Sequence, residues 1–546
     1  MPAPEFNWKT YQVSAPFDGT PTPDAGGPAP APPTPVTVEI PDLTPWPQPK
    51  DKAQILLETA AEVEHALLAQ YLYAAFSLKS ADEVADPDQT SALSEWFGQV
   101  VRTARDEMGH LMTVQNLLLA LGWPPNLERE DFPPRKDLYP FKLHLAPLSQ
   151  SSLAKYVIAE SPVDAAGIDD IVALATTSAG AAVRHVGVIY ALLGVVFSTE
   201  QEIATGGSPS PSWDDQLRRY ANAAHQQSPS ATWHLADSAV DPQTLDCQAD
   251  PNDWQGGGVR IHPIGDRTAA REAIRDIAEQ GEGPTDSGED SHFDRFRNIY
   301  RGADGIPPFP PADGWTPTHA VPTDPDAAAI AEPRTQLWAQ LADLRYGLLL
   351  GFIEHYLRTS DRDARANLRR WSIDEMFTLE GLAGQLSALP TGSGVAAVPF
   401  KLPDPVHLPD SDAQRWELQR TRTETAIGHV ERMQADPLDA ADNTLSGLRD
   451  IDAGRLTEMP GGGPIQPTTS FVRDVLPLFR PVDIDHMNNM VGIDLTDIEV
   501  VRNAASTVSA RMKGVGGRPM PPPPDAPLTP AQIAVFDKWI ADGFPP

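Results

Sequence analysis

The sequence has a single cysteine, no excess of positive charge and no long apolar run. Cys247 alone excludes an intramolecular disulfide framework and any Cys-x-x-Cys metal or haem motif. A formal net charge of -33 argues against nucleic acid or an anionic membrane surface as a partner. No stretch reaches the about 18 apolar residues of a transmembrane helix, and the N-terminus MPAPEFNWKT lacks a signal-peptide pattern. These absences predict a soluble, cytoplasmic protein.

The length of 546 residues predicts two or three domains. Residues 1–49 contain 14 prolines, a composition that favours an extended tail. We expect a helical bundle over 50–395, with an irregular insertion at about 205–265 that is rich in Gly, Ser and Pro. A linker with one charged helix, 396–469, and a small helical domain, 470–546, complete the predicted organisation.

A charged group lies within a long apolar-periodic helix predicted from about Ser94 to Leu121. Glu107 and His110 are three residues apart, so a helix presents this carboxylate and this imidazole on one face. Such a pair, directed into a four-helix core, forms half of a metal site. The alternative is that both are ordinary exposed residues of an amphipathic helix.

The preceding predicted helix, Ile55–Leu78, also contains charged residues in apolar surroundings. An unpaired charge is costly there, which favours a specific partner. Glu64 lies on the side that carries Leu67 and Tyr71, so it is the candidate ligand from this helix.

Several stretches resemble, in the same order, a known family. EHALLAQYLYAAFSL, EMGHLMTVQNLLLALG, YPF, SLAKYVIAESP and EQGEG…SHFDRFRNIY are similar to the ferritin-like domain of the iminophenylpyruvate dimer synthases of bisindole pathways such as violacein and rebeccamycin. The resemblance covers roughly residues 50–390 with gaps. It implies an all-α fold: a ferritin-like four-helix bundle with large insertions, followed by a small helical domain.

The resemblance also implies a ligand set. It adds Glu160 from the third helix, and Glu282 with His292 from the fourth. Regular Glu-x-x-His spacing instead favours Glu289, and His185 is the alternative donor of the third helix. The predicted metal ligands are Glu64, Glu107, His110, Glu160, Glu282 and His292, a set of oxygen and imidazole donors suited to two iron ions or to manganese.

The C-terminal stretch resembles the edges of a c-type cytochrome domain but lacks its cysteines. Val482 and Asp485 stand where haem attachment requires cysteine before His486, so covalent haem is excluded. We expect a haem-free packing module; the alternative is a non-covalent haem held by His486 and Met520.

The predicted function is a non-haem di-metal oxidoreductase that uses dioxygen or peroxide on an amino-acid-derived small molecule of specialised metabolism. The resemblance implies oxidative coupling of imine acids. The predicted catalytic residues are Glu107 and Tyr71, and a homo-oligomer is left open. One rival is a non-enzymatic metal-storing or structural ferritin-like protein. Another is a bundle without metal that binds its substrate through Arg102, Arg105 and His65.

Overall fold

The computed structural model contains two compact units, Met1–Arg449 and Asp450–Pro546. The boundary predicted near residue 470 stays a prediction. The residues that the structure describes are 7–13, 36–131, 143–163, 165–180, 183–254, 259–282, 290–460, 469–480, 483–484, 487, 493–513, 528–541 and 544.

Helices make up most of the regular structure, which confirms the predicted all-α class. They are α1 (Pro49–Phe76), α2 (Pro87–Ala120), α3 (Gln150–Ala159), α4 (Asp169–Ala179), α5 (Gly187–Phe197), α6 (Glu200–Thr205), α7 (Pro211–Gln227), α8 (Arg267–Glu282), α9 (His292–Arg301), α10 (Pro333–Tyr356), α11 (Arg362–Leu386), α12 (Asp412–Gln434), α13 (Asn443–Glu458), α14 (Ile498–Met512) and α15 (Pro530–Ala541). Short 3₁₀ turns are Ala81–Glu83, Ser230–Thr232, Asp237–Ala239, Pro242–Asp246, Ala327–Ala329 and Leu476–Leu478, and Phe471–Val475 is a π-helical turn.

The proline-rich N-terminal region contains a two-stranded sheet that the sequence analysis did not predict. Strand β1 (Trp8–Val13) pairs antiparallel with β2 (Val36–Pro41). Gln226 and Gln227 of α7 donate side-chain hydrogen bonds to backbone oxygens of this sheet. The sheet therefore lies against α7.

The bundle consists of two long helices and two interrupted ones. α1 packs along α2, while α3 packs on α9 and α5 packs on both α1 and α8. The Val186 N–H donates to the Ala159 oxygen at 3.0 Å, so α5 resumes where α3 ends. The apolar stretch over 168–197 forms two separate helices, since Gly180 has a φ of +69° and ends α4 before α5 begins.

The insertion before α8 contributes a segment that crosses α2. In this crossing segment, residues 259–264, the Arg260 backbone oxygen lies only 2.4 Å from where a Cβ on Gly109 would stand. Asn116 of α2 donates to the backbone oxygens of Ala249 and His262, each at 2.9 Å. Glycine at 109 thus allows a close backbone approach.

Helices α10, α11 and α12 form further packing within the first unit. Their buried acids have protein partners: Glu354 accepts from the Leu408 N–H at 3.0 Å, and Glu375 lies 3.2 Å from Arg345. His355 lies 3.0 Å from Asp412. These contacts agree with a packing role.

The second unit has its own apolar core. Its buried residues are Phe471, Val475, Phe479, Leu495, Val501, Val508, Met512, Phe536 and Trp539. His486 and Met520, the alternative haem ligands, lie outside the described residues. Within the described part of the chain, no helix has the length and apolar character needed to span a membrane.

Candidate metal centre

The interrupted bundle brings together five of the six predicted ligands. Glu64 comes from α1 and the pair Glu107 and His110 from α2. Glu160 is the C-cap of α3, and His292 is the first residue of α9. The sixth, Glu282, ends α8, but its side chain and all of Glu289 lie outside the described residues.

Glu107 lies between the two imidazoles. Its Oε2 is 2.9 Å from His110 Nδ1 and its Oε1 is 3.0 Å from His292 Nδ1. The ring centroids are 5.3 Å apart. These three residues place one ligand atom each within 4.8 Å of one another. The group is therefore a candidate metal site.

Two further carboxylates flank the imidazoles in matching positions. Glu64 Oε2 is 3.5 Å from His110 Nδ1, and Glu160 Oε2 is 3.7 Å from His292 Nδ1. We call Glu64, His110 and the near oxygen of Glu107 the His110 half-site. Glu160, His292 and the other oxygen of Glu107 form the His292 half-site.

A tyrosine holds the second oxygen of each flanking carboxylate. Tyr71 OH donates to Glu160 Oε1 at 2.5 Å, and Tyr190 OH donates to Glu64 Oε1. Both rings are buried. Each hydrogen bond leaves Oε2 of its carboxylate directed toward an imidazole.

The outward nitrogen of each imidazole faces a polar side chain, and only that of His110 is within hydrogen-bond distance of it. His110 Nε2 lies 3.0 Å from Gln280 Oε1, and His292 Nε2 lies 3.6 Å from Asp106 Oδ2. The same Asp106 oxygen accepts from Arg295 Nη1 at 2.6 Å. Both rings therefore present Nδ1 to the carboxylates.

Burial and the neighbouring charges shift the pKa of each of the five ligands described here. Burial, then the charge of Glu107, raise the pKa of Glu64 to about 8, and the same causes raise the pKa of Glu160. Burial opposes charge on His110, but contacts with Glu107 and Glu64 raise its pKa to about 10. The pKa of His292 is also raised, while the two imidazoles hold the pKa of Glu107 well below its usual value despite its burial. Without a cation, bound protons balance these carboxylates.

The chemistry of the donors fits a metal. Glu64 Oε2, Glu107 Oε1 and His292 Nδ1 are buried without a hydrogen bond. Their lone pairs thus face a shared space without the alignment that hydrogen bonding needs. A cation would satisfy all of them, and divalent metals take such oxygen and nitrogen donors.

A small cavity of about 20 Å³ adjoins these atoms. That is room for one or two water-sized species. Gly281 lines it, and a Cβ there would stand 3.2 Å from Glu160 Oε2. The α8 backbone therefore approaches the site closely.

The other residues proposed from sequence lie elsewhere. His185 Nδ1 is 2.9 Å from the Ser161 oxygen. His65 Nε2 contacts Tyr346 OH. Arg102 and Arg105 are exposed on α2.

Sequence reasoning missed Tyr190, Gln280 and Asp106. The only signal for Tyr190 was a lone tyrosine in the very apolar run RHVGVIYALLGVVF. Gln280 reaches His110 across 170 positions of sequence, and no local pattern predicts such a contact.

Comparison with known proteins supports the fold. Residues 57–301 match the family model described as ferritin-like. Dichlorochromopyrrolate synthase of Lentzea aerocolonigenes is 25% identical over 409 residues, which cover 66% of this chain and 37% of that protein. The match thus spans little more than a third of that relative's length. A solved structure of a ferritin-like protein from Caulobacter vibrioides aligns over 60% of this chain and 96% of its own, at 18% identity and a TM-score of 0.35. The family match and the helical architecture confirm the predicted ferritin-like domain in the first unit.

Proposed function

We propose that the ferritin-like domain is a non-haem di-metal oxidoreductase, with two iron ions as its cofactor. The observation that carries the proposal is the position of Glu107, whose two oxygens face different imidazoles at 2.9 and 3.0 Å. One carboxylate shared by two matched half-sites suits a pair of metal ions.

Each half-site would hold one ion with an imidazole Nδ1, one Glu107 oxygen and a flanking carboxylate. Glu282 is proposed as the sixth ligand from the family resemblance. Oxygen and imidazole donors suit iron, and manganese is the alternative. Two iron ions held there would supply electrons to dioxygen or peroxide.

The surrounding residues have positioning and protecting roles in this proposal. Tyr71 and Tyr190 hold one oxygen of Glu160 and of Glu64, so the other oxygen keeps its direction toward the site. The five described ligands are at most 4% exposed, which excludes bulk water. Glu64 can hold a proton near neutral pH because burial raises its pKa to about 8, so it can also supply one.

The substrate proposal rests on the resemblance and on the relative's name. Dichlorochromopyrrolate synthase is a biosynthetic enzyme, so we propose an oxidation or oxidative coupling of an amino-acid-derived imine acid. The cavity of about 20 Å³ admits dioxygen or peroxide but not such an acid. That size favours the second candidate, a non-enzymatic metal-binding ferritin-like protein.

Metal analysis and measurements of oxygen uptake distinguish the oxidoreductase from the non-enzymatic metal-binding protein. Protein loaded anaerobically with Fe²⁺ should retain about two ions per chain, and imine acids, generated in place from aromatic amino acids, should increase dioxygen consumption. Glu107→Ala should abolish both effects. Glu95→Ala, which changes a half-buried glutamate on the same helix, should abolish neither. Metal retention without any effect of imine acids would favour the non-enzymatic candidate, and metal-free protein after loading would refute both.

The second unit is proposed to bind no haem. Protein expressed with ample haem should show no Soret band, and deletion of residues 470–546 should leave the metal content intact. A Soret band lost in His486→Ala or Met520→Ala would contradict this proposal.

A further inference from the structure

Two consecutive residues, His185 and Val186, close the break between α3 and α5. The Val186 N–H donates to the Ala159 oxygen at 3.0 Å. His185 Nδ1 lies 2.9 Å from the backbone oxygen of Ser161 and 3.2 Å from its hydroxyl oxygen. The start of α5 is therefore hydrogen-bonded to the residues on both sides of Glu160, a proposed metal ligand.

The contact with Ser161 fixes the tautomer of His185. A carbonyl oxygen only accepts hydrogen bonds, so Nδ1 carries the hydrogen and donates it. Ser161 is fully buried, and its hydroxyl donates to the Ile158 oxygen at 3.1 Å. The last carbonyl groups of a helix have no partners within the helix, and here those of Ile158 and Ala159 are paired by Ser161 and Val186. These hydrogen bonds fix the backbone at the end of α3.

The N-terminal sheet holds the preceding residue, Arg184. Its guanidinium carbon lies 4.6 Å from the centroid of the Trp8 ring, and its Nε lies 3.4 Å from Glu39 Oε2. Trp8 pairs with Pro41 across the two strands, so Trp8 and Glu39 are diagonal neighbours on one face of the sheet. The aromatic ring and the carboxylate both attract the cation. The sheet thus anchors the chain directly before His185.

The same stretch forms part of the wall of the metal cavity. Val186 and Gly187 line the cavity together with Ala159 and Glu160. Glu160 Oε2 also faces His292 Nδ1 at 3.7 Å. A displacement of α5 from the end of α3 would therefore move both the cavity wall and a proposed ligand.

We propose that Arg184, His185 and Val186 form a junction clamp that holds Glu160 in place for metal binding, with His185 as the positioning residue and the N-terminal sheet as its support. The inference rests on the proposed di-metal function. It gives the N-terminal sheet a role in metal binding, although none of the proposed ligands comes from that sheet. Loss of a residue that orients a ligand lowers metal affinity about 10- to 100-fold.

Titration of the metal-free, full-length protein with Co²⁺, followed by the Co²⁺ absorption spectrum, tests the role of His185. His185→Ala should weaken Co²⁺ binding about 10- to 100-fold and change the spectrum, because Glu160 loses its fixed position. His185→Asn should restore both, since the amide nitrogen of asparagine can donate from the position of Nδ1. A merely structural histidine would instead lower the melting temperature of His185→Ala and leave its Co²⁺ affinity and spectrum unchanged.

The contribution of the sheet is tested with the same measurements. Trp8→Ala and Arg184→Ala should each weaken Co²⁺ binding about two- to fivefold, the size of one exposed cation–π contact. The double variant should lose no more affinity than Arg184→Ala alone, because the two residues act through one contact. Lys9→Ala is the matched control and should change nothing, since Lys9 points to the opposite face of β1 and pairs with Asp42 at 2.5 Å.

A folded His185→Ala variant with the Co²⁺ affinity and spectrum of the wild type would overturn the inference and leave the di-metal proposal standing. Absence of Co²⁺ binding by the wild type would refute the di-metal proposal, and the inference with it. If circular dichroism shows that His185→Ala does not fold, Trp8→Ala decides, because an unchanged Co²⁺ affinity in that variant also overturns the inference.

Discussion

Replacing Glu107 by alanine should abolish metal binding and leave the metal-free protein nearly as stable as before. Breaking an isolated buried ion pair costs about 3–5 kcal/mol, because the remaining charge has no partner. In the Glu107→Ala variant each imidazole keeps a carboxylate partner, since Glu64 lies 3.5 Å from His110 and Glu160 lies 3.7 Å from His292. The charge of Glu107 is also one cause of the raised pKa of both flanking carboxyls. Without Glu107 these two carboxyls can ionise in its place, so we expect the free energy of unfolding to change by only about 1 kcal/mol.

Denaturant unfolding with and without metal measures both effects. A metal at 100 times its dissociation constant stabilises the native protein by about 2.7 kcal/mol per site. Wild type should gain this stabilisation with Fe²⁺ or Mn²⁺, and Glu107→Ala should gain none. The Glu95→Ala control should behave as wild type. If metal-free Glu107→Ala loses about 3–5 kcal/mol and wild type does not respond to metal, Glu107 has a structural role and the site is not a metal centre.

Three further predictions concern α2, pH and protons. Gly109→Ala should lower the free energy of unfolding by about 1–3 kcal/mol, because the added Cβ would stand 2.4 Å from a backbone oxygen of the crossing segment. Gly98→Ala, where nothing lies within 4 Å of the added Cβ, should instead raise it by about 0.5–1 kcal/mol. An equal effect of both substitutions would contradict this. Burial lowers the pKa of His429 to about 4 in the folded protein. As pH falls, His429 is therefore protonated in the unfolded chain before it is protonated in the folded protein. Stability should drop by about 3 kcal/mol between pH 6.5 and 4, and the advantage of wild type over His429→Gln should shrink by that amount. At pH 7, metal binding should release about three protons, because the raised pKa values of Glu64, His110 and His292 keep all three groups protonated in the metal-free protein. Calorimetry in buffers of different ionisation enthalpy should show this release, and a buffer-independent heat would exclude it.

Local periodicity predicted the part of the centre that two uninterrupted helices carry. Glu107 and His110 share a helix face by their spacing alone, and Glu64 lies on the apolar side of α1. Both helices begin earlier than the predicted starts, at Pro49 and Pro87, which precede Ile55 and Ser94 by six and seven residues. Proline is well tolerated at a first helical position, so the added first turns are compatible with the sequence.

The rest of the centre depends on contacts that no short window contains. Glu160 ends one helix and His292 begins another, so neither belongs to a periodic pattern that fixes its direction. The resemblance brought Glu160 into the predicted ligand set, and for His292 the resemblance and the Glu-x-x-His spacing indicated different glutamate partners, Glu282 and Glu289. Tyr190 and Asp106 lie beside ligands that are 126 and 186 positions away in sequence. Only the packed bundle shows which of the many polar residues lie close together.

The interruptions in the third and fourth bundle helices have an electrostatic consequence for the site. An unbroken helix has no unpaired backbone groups in its middle, whereas each break creates a carboxyl end and an amino end. Glu160 caps the carboxyl end of α3, and Gly187, at the amino end of α5, lines the cavity. Gly281 near the end of α8 also lines it, and His292 begins α9. Carboxyl ends favour a cation and amino ends favour carboxylates, each by about 0.3–1 kcal/mol. The carboxyl ends of α3 and α8 therefore favour a cation in the site, because the dipole of α3 disfavours the charge of its own cap Glu160 when no cation is present. Continuous helices would place no such ends at this depth in the bundle.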